Sequence, residues 1–347
     1  MDLKLAVYQK NMRQKRNHKS KSRFHMKKGR VVYIILLQLF LIAIFSVILI
    51  YHGPFGKLKD AIVVQAMNTH QQTYWATWFL SEKEIEGIMI KANPVVMTAS
   101  ENLNEIKITA AAATNNSGAN HGVIIKDISD NGFKGKIMII SDPSRVTVGI
   151  APDLGHSGDR LSQIISAYGA VGGVNAGGFL DDNFIQNGAL PSGIVIVNGK
   201  IISQQKGLKT FNVIGFNNNN NLVVANSMSL EQIKNSKLRC AVSFGPALIV
   251  NGQSMIAAGG SALEPRTLIG QRIDGTILLM TIDGRQSASV GATYTTAVNE
   301  MLKYGAYNAA NLDGGSSTAM YWHGRIINSP CDLLGERSIP TAIIVMP

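Results

Sequence analysis

Apolar positions fall into three rhythms along the chain. Val31 to Tyr51 is an unbroken run of 21 residues without a charge, in which only Gln38 and Ser46 are clearly polar. At 1.5 Å per residue such a helix is about 30 Å long, the thickness of a bilayer core. Residues 56–92 instead place Ile62, Val63, Ala66, Met67, Tyr74, Trp75, Trp78 and Phe79 at roughly helical spacing. They predict one or two amphipathic helices. Trp75 and Trp78 suit a bilayer interface, but packing between helices is the plainer account. Residues 98–121 are rich in Ala, Thr, Asn and Ser and read as a linker with little to bury. From Gly122 onward the apolar runs become short and are broken by Gly, Asn and Asp. Strands are expected at Ile137–Ile140, Val146–Ile150, Gly193–Val197, Val213–Phe216, Leu222–Val224 and Ala247–Val250. Asn198-Gly199 and Asn251-Gly252 are hairpin turn signals, and Asn217–Asn221 is a loop between strands. Helices are expected at Asp159–Tyr168 and Ala292–Tyr304.

The last third has an informative order. Thr276–Ile282 reads as a strand that ends at Asp283-Gly284-Arg285, the helix to Tyr304 follows, and Tyr307–Leu312 reads as a strand that ends at Asp313-Gly314-Gly315-Ser316-Ser317. A strand, a crossover helix and a second strand point both C-terminal ends the same way. Asp283 and Asp313 then share one sheet edge, where ligand sites form. Asp-Gly is also a common turn pair, so turn formation is the competing account.

Charge changes the picture only at the N-terminus. Residues 1–30 hold eleven Lys/Arg against one acid, Asp2, whereas the rest of the chain holds 22 Lys/Arg and 21 Asp/Glu. The net charge of +11 therefore belongs to a tail, which weakens a nucleic-acid reading. Lys27, Lys28 and Arg30 abut the apolar run and keep the tail cytoplasmic. His52-Gly53-Pro54-Phe55 offers no small-x-small cleavage site, so the run reads as an uncleaved anchor. The organisation expected is a basic cytoplasmic tail (1–30), a transmembrane helix (31–51), an extracytoplasmic helical stalk and linker (52–121) and a strand-rich main domain (122–347). The fold class expected is α+β, a mixed β-sheet with packed helices.

Several chemistries are excluded by sequence. The chain has no Gly-x-x-x-x-Gly-Lys-Ser/Thr, no His-Glu-x-x-His and no Cys-x-x-Cys. Gly155-His156-Ser157-Gly158-Asp159 sets His, Ser and Asp side by side, which cannot form a triad. It reads as a loop leading to a helix N-cap at Ser157 or Asp159. Cys240 and Cys331 are open to pairing or to burial as thiols.

Four segments resemble the phosphodiester glycosidase family: Val174-Asn175-Ala176-Gly177-Gly178-Phe179, Pro265-Arg266-Thr267-Leu268-Ile269-Gly270, Thr281-Ile282-Asp283-Gly284-Arg285 and Asn311-Leu312-Asp313-Gly314-Gly315-Ser316-Ser317-Thr318-Ala319-Met320. Glu336-Arg337-Ser338-Ile339-Pro340 is a weaker match. The resemblance covers about residues 122–347, in the family's order. Ala176 is an insertion into the family's usual Asn-Gly-Gly-Phe, and Ser316 stands where a third Gly is usual. The resemblance implies cleavage of the C1–O bond between a sugar and a phosphodiester, in a membrane-anchored protein acting on surface polysaccharide.

The residues can be given chemical roles under that implication. Asp313 is the first candidate to stabilise an oxocarbenium-like state or activate water, with Asp283 second and Glu300 third. Arg266, Arg285 and the backbone of Gly314, Gly315, Ser316 and Ser317 would cradle the phosphate. Asn175 and Asn311 suit sugar hydroxyls, Gly177 and Gly178 close approach, and Phe179 a sugar face. A divalent cation on Asp283, Asn311 and Asp313 is a further option, and no other cofactor is called for. The expected partners are a sugar-phosphate-containing glycan and the membrane, not nucleic acid. A non-catalytic carbohydrate-binding or assembly module is the alternative, and a membrane-bound DNA-binding regulator would rest on the tail alone.

Overall fold

The computed structural model describes residues 28–68, 73–92, 96–108, 122–130, 132–180, 187–257, 262–332 and 335–347. Most of the basic tail and residues 109–121 of the expected linker lie outside the described residues. The chain divides after Lys59 into two compact units.

In the first unit, α1 (Lys28–His52) carries the long apolar run. Its segment Arg30–His52 is long and apolar enough to cross a membrane and is not buried inside the protein. Leu36, Phe40, Ile42 and Phe45 are all exposed along it.

The second unit begins within α2 (Gly56–Asn68), followed by the single turn α3 (Tyr74–Thr77) and by α4 (Glu82–Ala92). Ala76 and Leu80 are the buried side chains near α3. Trp75 and Trp78 do not pack between helices as expected. Trp78 keeps 73% of its surface exposed, because one helical turn buries only one face and Ala76 occupies it. The strands follow in order: β1 (Val123–Asp130), β2 (Phe133–Ile140), β3 (Val146–Ile150), α5 (Leu161–Ala167), β4 (Gly172–Asn175), β5 (Phe179–Leu180), β6 (Leu190–Pro191), β7 (Ile194–Val197), β8 (Lys200–Gln204), β9 (Thr210–Asn217) and β10 (Leu222–Ser229). Then come α6 (Leu230–Asn235), β11 (Leu238–Val242), β12 (Ala247–Val250), β13 (Gln253–Ser254), β14 (Arg266–Arg272), β15 (Ile277–Ile282), α7 (Tyr294–Lys303), β16 (Ala306–Leu312), β17 (Met320–Trp322), β18 (Arg325–Ile326) and β19 (Thr341–Val345).

These strands make an α+β architecture of one seven-stranded sheet, β1-β2-β15-β14-β16-β12-β13, two five-stranded sheets, β10-β9-β11-β7-β8 and β18-β17-β4-β19-β3, and the two-stranded β5-β6. β15 is buried at every position, and apolar at all but Thr281, because both of its faces are covered. Ile277 and Leu279 enter the core shared with the other sheets, while Leu278, Met280 and Ile282 meet Ala297, Val298 and Met301 of α7. Thr293 caps α7 by accepting from Thr296 N–H at 3.1 Å. The β7–β8 and β12–β13 hairpins turn on Asn198-Gly199 and Asn251-Gly252, all four residues at positive φ, as type I′ turns require.

The helix α5 starts later than expected. Arg160, not Ser157 or Asp159, is its N-cap, and Asp159 instead forms a β-bridge with Ile339. The Glu336 carboxylate accepts from both Ser162 N–H and Ser162 Oγ at 2.8 Å, so the first turn is capped from a distant loop.

β15 and β16 do run the same way, but as next-but-one neighbours. β14 lies between them and pairs antiparallel with both, Thr267 facing Thr281 on one side and Leu312 on the other. Every ladder between the named strands is antiparallel.

Residues 98–108, the described part of the expected linker, run with Val96 and Met97 as a strap along the sheets. Val96 bridges Ile256, Asn102 N–H donates to Asn251 Oδ1, and Lys107 N–H donates to the Ile273 carbonyl. Glu101 accepts from Val224 N–H at 2.8 Å and so caps a donor of the edge strand β10. Burial pushes the Glu101 carboxyl up to about 7 from an ordinary 4.5. The folded chain therefore holds a proton there that the unfolded chain releases above pH 4.5. Stability should fall as pH rises through that window towards 7, and Glu101→Gln should flatten this part of the profile. Denaturant melts at closely spaced pH values measure both.

Candidate active site

Three strand ends and one strand start meet at a single edge: β15 ends before Asp283, β16 before Asp313, β4 at Asn175, and β14 begins at Arg266. Asn175 is fully buried and ties them together. Its Nδ2 donates to the Asp313 carbonyl at 2.6 Å, and its Oδ1 accepts from Thr267 Oγ1 at 2.8 Å and from Ala319 N–H at 3.1 Å. Asp313 N–H donates back to the Ala176 carbonyl at 2.8 Å. Asp313 is half-buried.

The loop after Asp313 is built by glycine for a local reason. Gly315 has φ +58° and its N–H donates to the Pro265 carbonyl at 3.0 Å. A Cβ on Gly314 would lie 2.7 Å from that same oxygen. The N–H groups of Ser317 and Thr318 donate to the Gly314 and Gly315 carbonyls. Two backbone donors of the expected anion nest, Gly315 N–H and Ser317 N–H, are thus already used.

Two guanidinium groups flank it. Arg285 stands at φ +57°, and its Nη2 lies 3.4 Å from where a Gly315 Cβ would be. The same Nη2 is 3.9 Å from Glu264 Oε1. Arg337 Nη1 donates to Ser316 Oγ at 3.3 Å, and its guanidinium lies over the half-buried Phe179 ring, 4.7 Å from the centroid. The loop therefore carries one carboxylate, Asp313, with a cation at Gly315 and another at Ser316.

A profile of the phosphodiester glycosidase family matches residues 168–346. The chain belongs to that family. Among curated proteins, the SPbeta prophage-derived protein YomE of Bacillus subtilis (strain 168) is 39% identical over 84 residues. That match spans 24% of this chain and 13% of YomE. Among solved structures, the catalytic domain of zebrafish N-acetylglucosamine-1-phosphodiester alpha-N-acetylglucosaminidase, auto-inhibited by its pro-peptide, is similar in fold. The TM-score is 0.54 at 20% identity, over 65% of this chain and 82% of that one. An exported protein from Burkholderia pseudomallei K96243 gives a TM-score of 0.48 at 18% identity, over 62% and 74% of the two chains.

The remaining expected site residues of this glycosidase-family domain are placed differently. Arg266 is 5% exposed. Its Nε donates to the Ala292 carbonyl, its Nη2 to the Ala262 carbonyl, and it lies 4.1 Å over the Tyr294 ring. It fastens the start of β14 to the α7 entry loop rather than facing an open cradle. Asp283 is also buried; its Oδ1 accepts from Asn328 Nδ2 at 2.9 Å and Ser329 N–H at 3.0 Å. Burial raises its carboxyl above the ordinary range, opposed by those two donors and by Lys136. It pins the 328–329 loop against the β15 end. Glu300 is on α7, buried and held by Lys303, which also approaches Asp130 at 3.9 Å. No contact joins it to the Asp313 loop.

Asn311 is 1% exposed and its Nδ2 donates to the Gly245 carbonyl at 3.1 Å, so its amide is not presented to a sugar. Gly177 and Gly178 are buried against Thr341, Ser243 and Phe244, and a Cβ on Gly178 would sit 2.8 Å from Ser192 Oγ. Their smallness serves backbone packing. Ser317 is 3% exposed with its hydroxyl buried, whereas Ser316 faces Arg337. The donor set for a divalent cation is not assembled, although Asn311 Oδ1 is buried without a hydrogen-bond partner. Asp283 and Asn311 spend oxygen and amide on other elements, and the described residues include no cluster of three His, Cys, Asp or Glu able to hold an ion. Both cysteines are free thiols.

Glu264 and Arg337 were absent from the sequence-derived site. Arg337 was visible inside the weakest of the resembling segments. Glu264 directly precedes Pro265, whose ring restricts it to extended backbone, and so fixes where its carboxylate can reach.

Asn175→Ala strands a hydroxyl, an N–H and a carbonyl in the interior. It should cost about 3 kcal/mol or more of stability in denaturant melts. Arg266→Ala should likewise lower stability, by about 1.5–3 kcal/mol, through lost charge-assisted hydrogen bonds and ring stacking. An Arg266→Ala protein that melts normally but loses phosphate affinity would contradict the clamp role.

Proposed function

We propose that this chain is a membrane-anchored, extracytoplasmic hydrolase that cleaves sugar-1-phosphodiester linkages in cell-surface polysaccharide or exopolysaccharide. The observation that carries this reading is the convergence of Arg285 and Arg337 on the loop that follows Asp313. The departing phosphodiester is already a stable anion, so the site must hold negative charge more than deliver a proton. The two guanidiniums supply that hold, with bidentate geometry suited to phosphate oxygens. Glu264, beside Arg285, orients one of them.

Bond breaking leaves positive character on the sugar carbon, and a carboxylate on the opposite side stabilises it or activates water. Asp313 has this role in the proposal. Its backbone is fixed at both N–H and C=O by the Ala176 carbonyl and Asn175, which limits its side-chain arc. Phe179, under Arg337, offers an aromatic edge or face to the sugar. The apolar helix α1 supplies the anchor, and the basic residues before it favour a cytoplasmic N-terminus. Domain 122–347 then works outside the membrane.

The test uses the full chain in neutral detergent with a sugar-1-phosphodiester such as a UDP-sugar, reading release of free reducing sugar. Asp313→Asn should lower turnover by about 10²–10⁴-fold while retaining sugar-phosphate binding. Arg337→Ala and Arg285→Ala should each weaken that binding about tenfold or more. Tight binding with no sugar release by the unaltered chain would favour a carbohydrate-binding module instead.

A further inference from the structure

A cavity lined by none of the Asp313-loop residues lies between the strap 96–103, the edge strand β10 and strand β12. Its volume is about 400 Å³, within the range of small-molecule sites. Among the described residues that line it, Glu101 is the one ionisable side chain. Its Oε1 accepts from Val224 N–H, and no Lys, Arg or His lines the cavity to neutralise it. The walls mix apolar and uncharged polar groups, and three of the apolar ones are thioethers: Met97, Met228 and Met255. Methionine is unbranched and adapts to ligand bodies of differing shape.

We propose that this cavity binds a small organic cation, an ammonium group carried on a compact apolar body. A carboxylate in apolar surroundings lacks compensation until an opposite charge arrives, so an ammonium gains both a salt bridge and a hydrogen-bond acceptor there. An anion meets repulsion from Glu101, and a neutral molecule of the same shape leaves the carboxylate uncompensated. Ser100 and Asn226 line the same space; the Asn226 amide oxygen accepts once, from Ala247 N–H, and so keeps a second lone pair for an ammonium hydrogen. Both walls of the cavity are anchored independently, by the Val96–Ile256 bridge on the β12–β13 side and by Glu101 on the β10 side. The strap therefore holds the acid over the space it lines.

Protons compete with such a ligand at Glu101, whose carboxyl is pushed up to about 7 and has no other titratable neighbour among the lining residues. The probe is cyclohexylammonium, which stays charged across the pH range, with cyclohexanol as its uncharged counterpart. Calorimetric titration into the full chain in neutral detergent should show saturable one-to-one binding of the ammonium and at least about tenfold weaker binding of the alcohol. Affinity should rise about thirtyfold from about pH 5.5 to about pH 8.5 as Glu101 ionises. Glu101→Gln keeps an acceptor for Val224 N–H and should weaken the ammonium about tenfold or more. Ala99→Trp, at an exposed strap position, should block the cavity. Equal binding of alcohol and ammonium, unchanged affinity in Glu101→Gln, or no saturable binding would each overturn the proposal. Should Glu101→Gln fail to fold, the unaltered chain still decides, because a flat affinity across that pH range would overturn it too.

Discussion

The rest of the site depends on one buried amide. Asn175 ends a strand of one five-stranded sheet, and it bonds to Thr267 and to the Asp313 carbonyl, both in or beside the seven-stranded sheet. Two sheets packed face to face are free to slide unless something at their rim fixes the offset. A buried Asn does this well, because a wrong offset leaves its donors and acceptors unmet in a place without water. Asp313 inherits its position from that constraint. A carboxylate on a strand end would otherwise swing with the loop that follows.

Charge is distributed around this rim in two layers. Arg266 and Asp283 lie in the inner layer, where both are consumed in fastening loops to strand ends. Arg285 and Arg337 lie in the outer layer, where they remain half-open around the Asp313 loop; Arg285 keeps 26% of its side chain exposed. An inner arginine cannot serve a mobile phosphate without giving up its hold on β14. An outer one is better placed: Arg285 lies beside Gly315 and Glu264, and Arg337 beside the Ser316 hydroxyl and the Phe179 ring.

Much of the fold could be read from the chain, and the failures share a cause. Strands such as β15, with Leu278, Leu279 and Met280 in sequence, and the Asn-Gly turns announce themselves through apolar runs and turn chemistry. β14 does not, although it lies at the centre of the largest sheet, because Arg266, Thr267 and Gln271 break its apolar pattern. All three are buried and bonded; Gln271 alone serves Leu222 N–H and the Asn220 and Gly275 carbonyls. A buried polar residue looks the same in sequence as a solvated one. The same blindness sent Arg266 to the phosphate and Asn175 and Asn311 to the sugar. The strap was hidden for a related reason: its hold on the sheets comes from backbone groups and from Glu101, neither of which shows in an apolar pattern.

The five segments that carried the family resemblance are far apart in sequence, yet each touches the Asp313 loop. Asn175 and Ala176 of the first bond to the Asp313 backbone. Pro265 of the second receives Gly315 N–H, while its Thr267 bonds to Asn175. Arg285 of the third lies against Gly315, and Arg337 of the fifth against Ser316. Asn-Leu-Asp-Gly-Gly is thus the fourth segment and the hub. This explains the double glycine without appeal to a ligand: Gly314 must clear the Pro265 carbonyl and Gly315 must adopt a left-handed turn to bond to it. The departure at Ser316 follows the same logic. It comes just after the two positions that need glycine, and a side chain there meets only Arg337, so a hydroxyl fits where a third glycine is usual and gives that guanidinium an acceptor. The loop's backbone is dictated by packing, so under the proposed function it is the side chains at Asp313, Ser316, Arg285 and Arg337, not the loop's N–H groups, that meet substrate.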